Sequence, residues 1–121
     1  MSTAETITGN SEANTINGAG GNDVLSGKAG ADTIDGGTGD DTISGDEDAD
    51  TLSGGDGNDT ITGGPGGDTI LGGAGNDTIN GDAGDDIITA NSGDNTLSGG
   101  EGADTINACL LYTSPSPRDR G

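Results

Sequence analysis

An aliphatic residue returns every nine positions from Ile7 to Ile106 without a slip. The column reads Ile7, Ile16, Leu25, Ile34, Ile43, Leu52, Ile61, Ile70, Ile79, Ile88, Leu97 and Ile106. Two residues before each stands an acid or its amide, and before that lies a glycine-dense segment. A period held this strictly means that one short unit is being stacked, each copy burying its apolar residue only against its neighbours.

Five units show the pattern most fully: GGTGDDTIS at 36–44, GGDGNDTIT at 54–62, GGPGGDTIL at 63–71, GGAGNDTIN at 72–80 and GGEGADTIN at 99–107. Glycine at the first, second and fourth places permits the positive φ that a tight turn requires and side chains resist. The Thr-Ile-Ser or Thr-Leu-Ser that follows is β-favouring and too short for a helix. One inward aliphatic between outward polar residues is the alternation of a short strand.

The repeated Gly-Gly-x-Gly-x-Asp-x-aliphatic-x unit resembles the nonapeptide of the RTX, or haemolysin-type, calcium-binding family. Eleven consecutive units from Gly9 to Asn107 carry the resemblance. It implies an all-β fold, a right-handed parallel β-roll in which each unit is a turn plus a strand and two units complete a coil. Residues 9–107 would then form about 5.5 coils, roughly 26 Å of stack at the ~4.8 Å strand spacing, with two small parallel sheets enclosing the aliphatic column. Residues 1–8 form a lead-in with half a repeat.

Composition shows why such a stack needs help. The chain has no Phe, Trp or His and a single Tyr, so the aliphatic ladder is nearly all there is to bury. Of its 22 acidic residues only Asp119 lies in the tail, leaving 21 against Lys28 alone. A glycine-rich chain of this charge is disordered without counter-charge. The donors on offer are carboxylates and turn carbonyls, with no imidazole, and the one thiol, Cys109, lies outside the repeats. That inventory disfavours zinc, copper and iron and suits calcium, which takes 6–8 oxygens in irregular geometry. Magnesium, with its stricter octahedron, is the weaker alternative.

The acid at the sixth place falls at Asp23, Asp32, Asp41, Asp50, Asp59, Asp68, Asp77, Asp86 and Asp104. The resemblance places each calcium between turns one coil apart. One edge then pairs Asp23 with Asp41, Asp41 with Asp59 and Asp59 with Asp77. The other pairs Asp32 with Asp50, Asp50 with Asp68, Asp68 with Asp86 and Asp86 with Asp104. That makes about seven ions, with carbonyls near Gly37, Gly39, Gly55, Gly57, Gly64, Gly66, Gly73 and Gly75 as co-ligands. Three units depart from the pattern: 9–17 has Glu12 and Asn14, 45–53 has Asp48, and 90–98 has Ala90 and Asn95, whose amide brings no charge. The outward Thr column (Thr33, Thr42, Thr51, Thr60, Thr69, Thr78) is read as β-favouring surface.

Residues 109–119, CLLYTSPSPRD, break period, composition and charge together. The string looks like a translated sequencing adapter, and 108–121 is set aside as a disordered tail outside the fold. The start, MSTAETIT, has no basic or apolar leader, and no segment is long and apolar enough to span a membrane. Relatives of this type are exported without a cleaved leader. The resemblance therefore implies secretion through an export channel and neighbouring domains in a parent protein.

The expected function is a calcium-dependent folding module with no catalytic residues of its own. Without His there is neither a zinc-protease helix motif nor a Ser-His triad. The alternative is the stalk of a secreted enzyme or adhesin whose effector lies elsewhere. Ice binding would need a flat Thr or Asn face on the turns, and the third places are too mixed, with Thr38 the one threonine. Nucleic-acid binding is opposed by the charge.

Overall fold

The computed structural model describes residues 3–108. Of the tail set aside above (108–121), residues 109–121, with the adapter-like string 109–119, lie outside them.

Each unit contributes one strand, and alternate strands go to opposite sheets. One six-stranded sheet is built from β1 (Thr6–Thr8), β3 (Val24–Ser26), β5 (Thr42–Ser44), β7 (Thr60–Thr62), β9 (Thr78–Asn80) and β11 (Thr96–Ser98), in that order. The other holds β2 (Thr15–Asn17), β4 (Thr33–Asp35), β6 (Thr51–Asp56), β8 (Thr69–Ala74), β10 (Ile87–Ala90) and β12 (Thr105–Ala108), again in chain order. All pairings are parallel and join residues 18 apart, such as Ile43 with Ile61 and Ile34 with Leu52. The described chain is all-β without a helix, a parallel solenoid of about six coils. The count exceeds 5.5 because β1, in the lead-in, pairs with β3 as a full strand.

Parallel strands separated by a whole coil suit this sequence. With a single aliphatic per strand, alternation sends one side chain inward and its neighbours out. Leu25, Ile34, Ile43, Leu52, Ile61, Ile70, Ile79 and Ile88 are all buried, forming one continuous cluster between the sheets. The column weakens at its ends. Ile7 and Leu97 are half-buried, and Ile106 is 46% exposed because a terminal coil has a neighbour on one side only.

The glycine expectation holds at two of its three places. Second- and fourth-place glycines take positive φ, as at Gly37 (93°) and Gly39 (112°). First-place glycines do not, because the reason for glycine there is space. A Cβ on Gly36 would sit 2.5 Å from the Asp41 carboxylate and 2.8 Å from the carbonyl of Gly54 in the next coil.

Candidate metal centre

The turns between the sheets line the two edges of the roll, and each brings its sixth-place aspartate inward. Asp23, Asp32, Asp41, Asp50, Asp59, Asp68, Asp77 and Asp86 are as buried as the aliphatic column beside them. Asp104, in the last coil, is only half-buried. Ionised carboxylates in such surroundings are costly unless paired.

One oxygen of each is accounted for. The backbone N–H of Asp23 donates to Oδ1 of Asp41 at 2.8 Å, and Asp41 to Asp59 and Asp59 to Asp77 repeat this. The opposite edge runs Asp32 to Asp50, Asp50 to Asp68, Asp68 to Asp86 and Asp86 to Asp104 at 2.8–2.9 Å. The seven pairs expected from the register are therefore neighbours along two continuous ladders. Asn14 donates into one ladder at Asp32, and Asn95 accepts from Asp77 at the end of the other.

The second oxygen is orphaned. Oδ2 of all eight buried aspartates, Asp23 through Asp86, is shielded from solvent and has no hydrogen-bond donor. Beside it runs a file of carbonyls. The space a Cβ would fill at Gly18, Gly36 and Gly81 lies between that unit's own aspartate Oδ2 and the first-place carbonyl of the following coil. Acceptors facing acceptors without a donor form an arrangement that a cation satisfies.

Among the described residues no three acidic side chains converge on one point. An ion here would draw on one or two carboxylates and complete its shell with backbone carbonyls, which fits calcium better than a thiolate- or imidazole-seeking metal. The carbonyls named from sequence fall into three groups. Those of Gly39, Gly57, Gly66 and Gly75 accept no backbone hydrogen bond among the described residues, and neither does that of Gly64. The Gly37 carbonyl accepts the N–H of Asp56 at 2.9 Å. Gly55 and Gly73 pair with one another where β6 and β8 continue into the turn. Sequence reasoning missed the first-place carbonyls, such as those of Gly36 and Gly54. Their signal was a glycine kept where no turn angle demands it.

Unit 90–98 differs in kind. Ala90 is fully buried and places a methyl at the position glycine holds in every other unit of the array, and its sixth place is Asn95. That turn offers a neutral amide and less room.

Burial raises the carboxyl pKa of Asp50, Asp59 and Asp68 to about 7, with neighbouring carboxylates adding to it. Asp41, Asp77 and Asp86 are raised for the same first reason. Asp46 goes the other way: burial opposes its ionisation, but the hydroxyls of Ser26 and Ser44 and the N–H of Lys28 outweigh it. The raised groups bind protons more tightly folded than unfolded. For the metal-free chain, stability is therefore gained as pH falls through about 7, complete below the ordinary 3.8, and lost as pH rises past 7. Acidification over that window in chelator is expected to increase the far-ultraviolet β signal. A signal that falls steadily instead would show that the aspartates are not buried together. With calcium bound the sign reverses, because protons then compete with the ion.

A family model described as RTX calcium-binding nonapeptide repeat (4 copies) matches the chain over residues 2–34, 26–61, 35–70, 62–97 and 80–108. No curated protein matches it in sequence.

Proposed function

The chain belongs to the family of RTX calcium-binding nonapeptide repeats, and from that premise we propose that it is a calcium-dependent folding module of a secreted protein. The observation that carries the reading is the file of eight buried aspartate oxygens without a donor. Calcium at the turns neutralises the ladders and ties each coil to the next, so that binding and folding are one event. In calcium-poor cytosol the chain stays unfolded and can be threaded through an export channel. Outside, affinities of roughly 10⁻⁴–10⁻³ M, those of extracellular modules, suit the change in calcium. The module performs no chemistry of its own. Its work is to fold on arrival and steady the effector domain of the parent protein, whether enzyme or adhesin.

The test is direct ion uptake. Equilibrium dialysis at saturating calcium is expected to find several ions per chain. Asp68→Asn keeps the acceptor for the Asp50 N–H and loses one charge, so about one or two ions should be lost. Uptake unchanged by Asp68→Asn, or no uptake by the parent chain, would overturn the assignment.

A further inference from the structure

The two edges of the roll are built differently. On the edge formed by turns 18–23, 36–41, 54–59, 72–77 and 90–95, the fifth place holds Asn22, Asp40, Asn58, Asn76 and Asp94. The backbone N–H of each of the last four donates to Oδ1 of the residue one coil earlier. Asp40 donates to Asn22 and Asn58 to Asp40 at 2.8 Å, and Asn76 to Asn58 and Asp94 to Asn76 at 2.9 Å. This outer ladder runs in the opposite sense to the inner aspartate ladder, whose N–H groups point one coil later. Each turn along this ladder is thus tied to each neighbour by two side-chain hydrogen bonds, one donated and one accepted.

The opposite edge has Ala13, Ala31, Ala49, Gly67, Asp85 and Ala103 at the same place. Only Asp85 carries an acceptor, used by the N–H of Ala103. Two further differences run the same way. Third places on the first edge pair in unbroken parallel succession, Gly20 with Thr38, Thr38 with Asp56 and Asp56 with Ala74, whereas the second edge pairs Ala83 with Glu101. The second edge also holds Lys28, Asp46, Asp48 and Asp82 at φ of 71–79°, where the first edge has Ala19 alone. Side chains at such angles strain the backbone.

We propose that Asn22, Asp40, Asn58, Asn76 and Asp94 are positioning residues. Their ladder holds the turns of one edge in shape before an ion arrives. The row Asp23, Asp41, Asp59 and Asp77 then takes up calcium at lower concentration than the row Asp32, Asp50, Asp68 and Asp86. The inference rests on the calcium reading above. Its physical basis is preorganisation: a turn already held pays less ordering entropy on binding. These side chains are not the ligands, since all five are exposed and Oδ1 of Asn22, Asp40, Asn58 and Asn76 is engaged by the next coil. The nine-residue pattern treats the fifth place as free, yet polar and small residues largely alternate there with a period of 18.

Amide hydrogen exchange and ion uptake, followed together on the full chain through a calcium titration, test the proposal. The amides of Asp23, Asp41 and Asp59 should become protected at lower calcium than those of Asp32, Asp50 and Asp68, which donate in the same way on the other edge. Asn58→Ala should speed exchange at Asn76 roughly fivefold, the worth of one net hydrogen bond, and leave the saturating ion count unchanged. Asn58→Asp keeps an acceptor and should restore protection. Simultaneous protection of both edges would overturn the proposal. So would a lower ion count in Asn58→Ala, which would make Asn58 a ligand. A parent chain that takes up no calcium defeats the functional reading separately. The ladder is then read without metal in chain compacted by trimethylamine oxide, where Asn58→Ala frees the Asn76 amide only if the ladder exists.

Discussion

Chelating calcium from the saturated chain is expected to erase its β-sheet circular dichroism in one cooperative step, and readdition to restore it. Three features drive the prediction. Residues 1–108 set 21 acidic residues against Lys28, the buried aspartates each keep an orphaned oxygen, and the core holds one aliphatic per nine residues. A site held at 100 times its dissociation constant contributes about 2.7 kcal/mol. A few such sites equal the whole stability of an ordinary domain, about 5–15 kcal/mol. Removing them leaves nothing of comparable size to oppose carboxylate repulsion. Magnesium should not substitute, since it sheds water reluctantly and demands an octahedron that one or two carboxylates and turn carbonyls do not supply. A β signal indifferent to both chelator and calcium would end the coupled account.

Gly36→Ala is expected to be strongly damaging although it adds a single methyl. Gly36 does not take positive φ, so alanine meets no dihedral penalty there and the effect isolates contact. The new Cβ would lie 2.5 Å from the Asp41 carboxylate and 2.8 Å from the Gly54 carbonyl, and a backbone carbonyl in a paired coil cannot swing aside. Overpacking of this kind costs about 1–3 kcal/mol. Because the methyl also fills space beside Oδ2, the variant should bind fewer ions. Denaturant unfolding at saturating calcium, with ion counting, measures both. Wild-type stability together with a wild-type count would show that the space beside Oδ2 is not part of the site. Ala90 is the natural counterpart, a buried methyl in a unit where the sixth place, Asn95, also lacks a charge.

How much of the fold is legible in the sequence depends on what each place in the unit does. The eighth place has one task, burial, so Ile16 through Ile88 could be assigned to strands and core from spacing alone. The sixth place is similar, because an acid in strict phase with a buried column must share its coil and stack on its neighbours. First-place glycine was assigned to the wrong cause: a residue can be small for its own backbone angle or for a neighbour's oxygen, and composition does not separate the two. Gly37 is the first kind and Gly36 the second. The fifth place carries no signal in the repeat because a nine-residue pattern averages two edges that the coil keeps apart. Nor could spacing say which carbonyls are spent in pairing, as Gly37 is, and which stay free, as Gly39 does.

The 18-residue offset between paired strands gives the chain a parity. Loss or gain of two units removes or adds one full coil and returns every later residue to the sheet and edge it left. Loss or gain of one unit transposes everything downstream. With one unit gained between 45–53 and 54–62, the Asn58 turn would stack on the turn bearing Ala49 while Asn76 stayed above Asn58, and the outer ladder would be cut at the junction although every nonapeptide remained intact. Copy number in this array is therefore subject to an even-step rule that no single repeat contains.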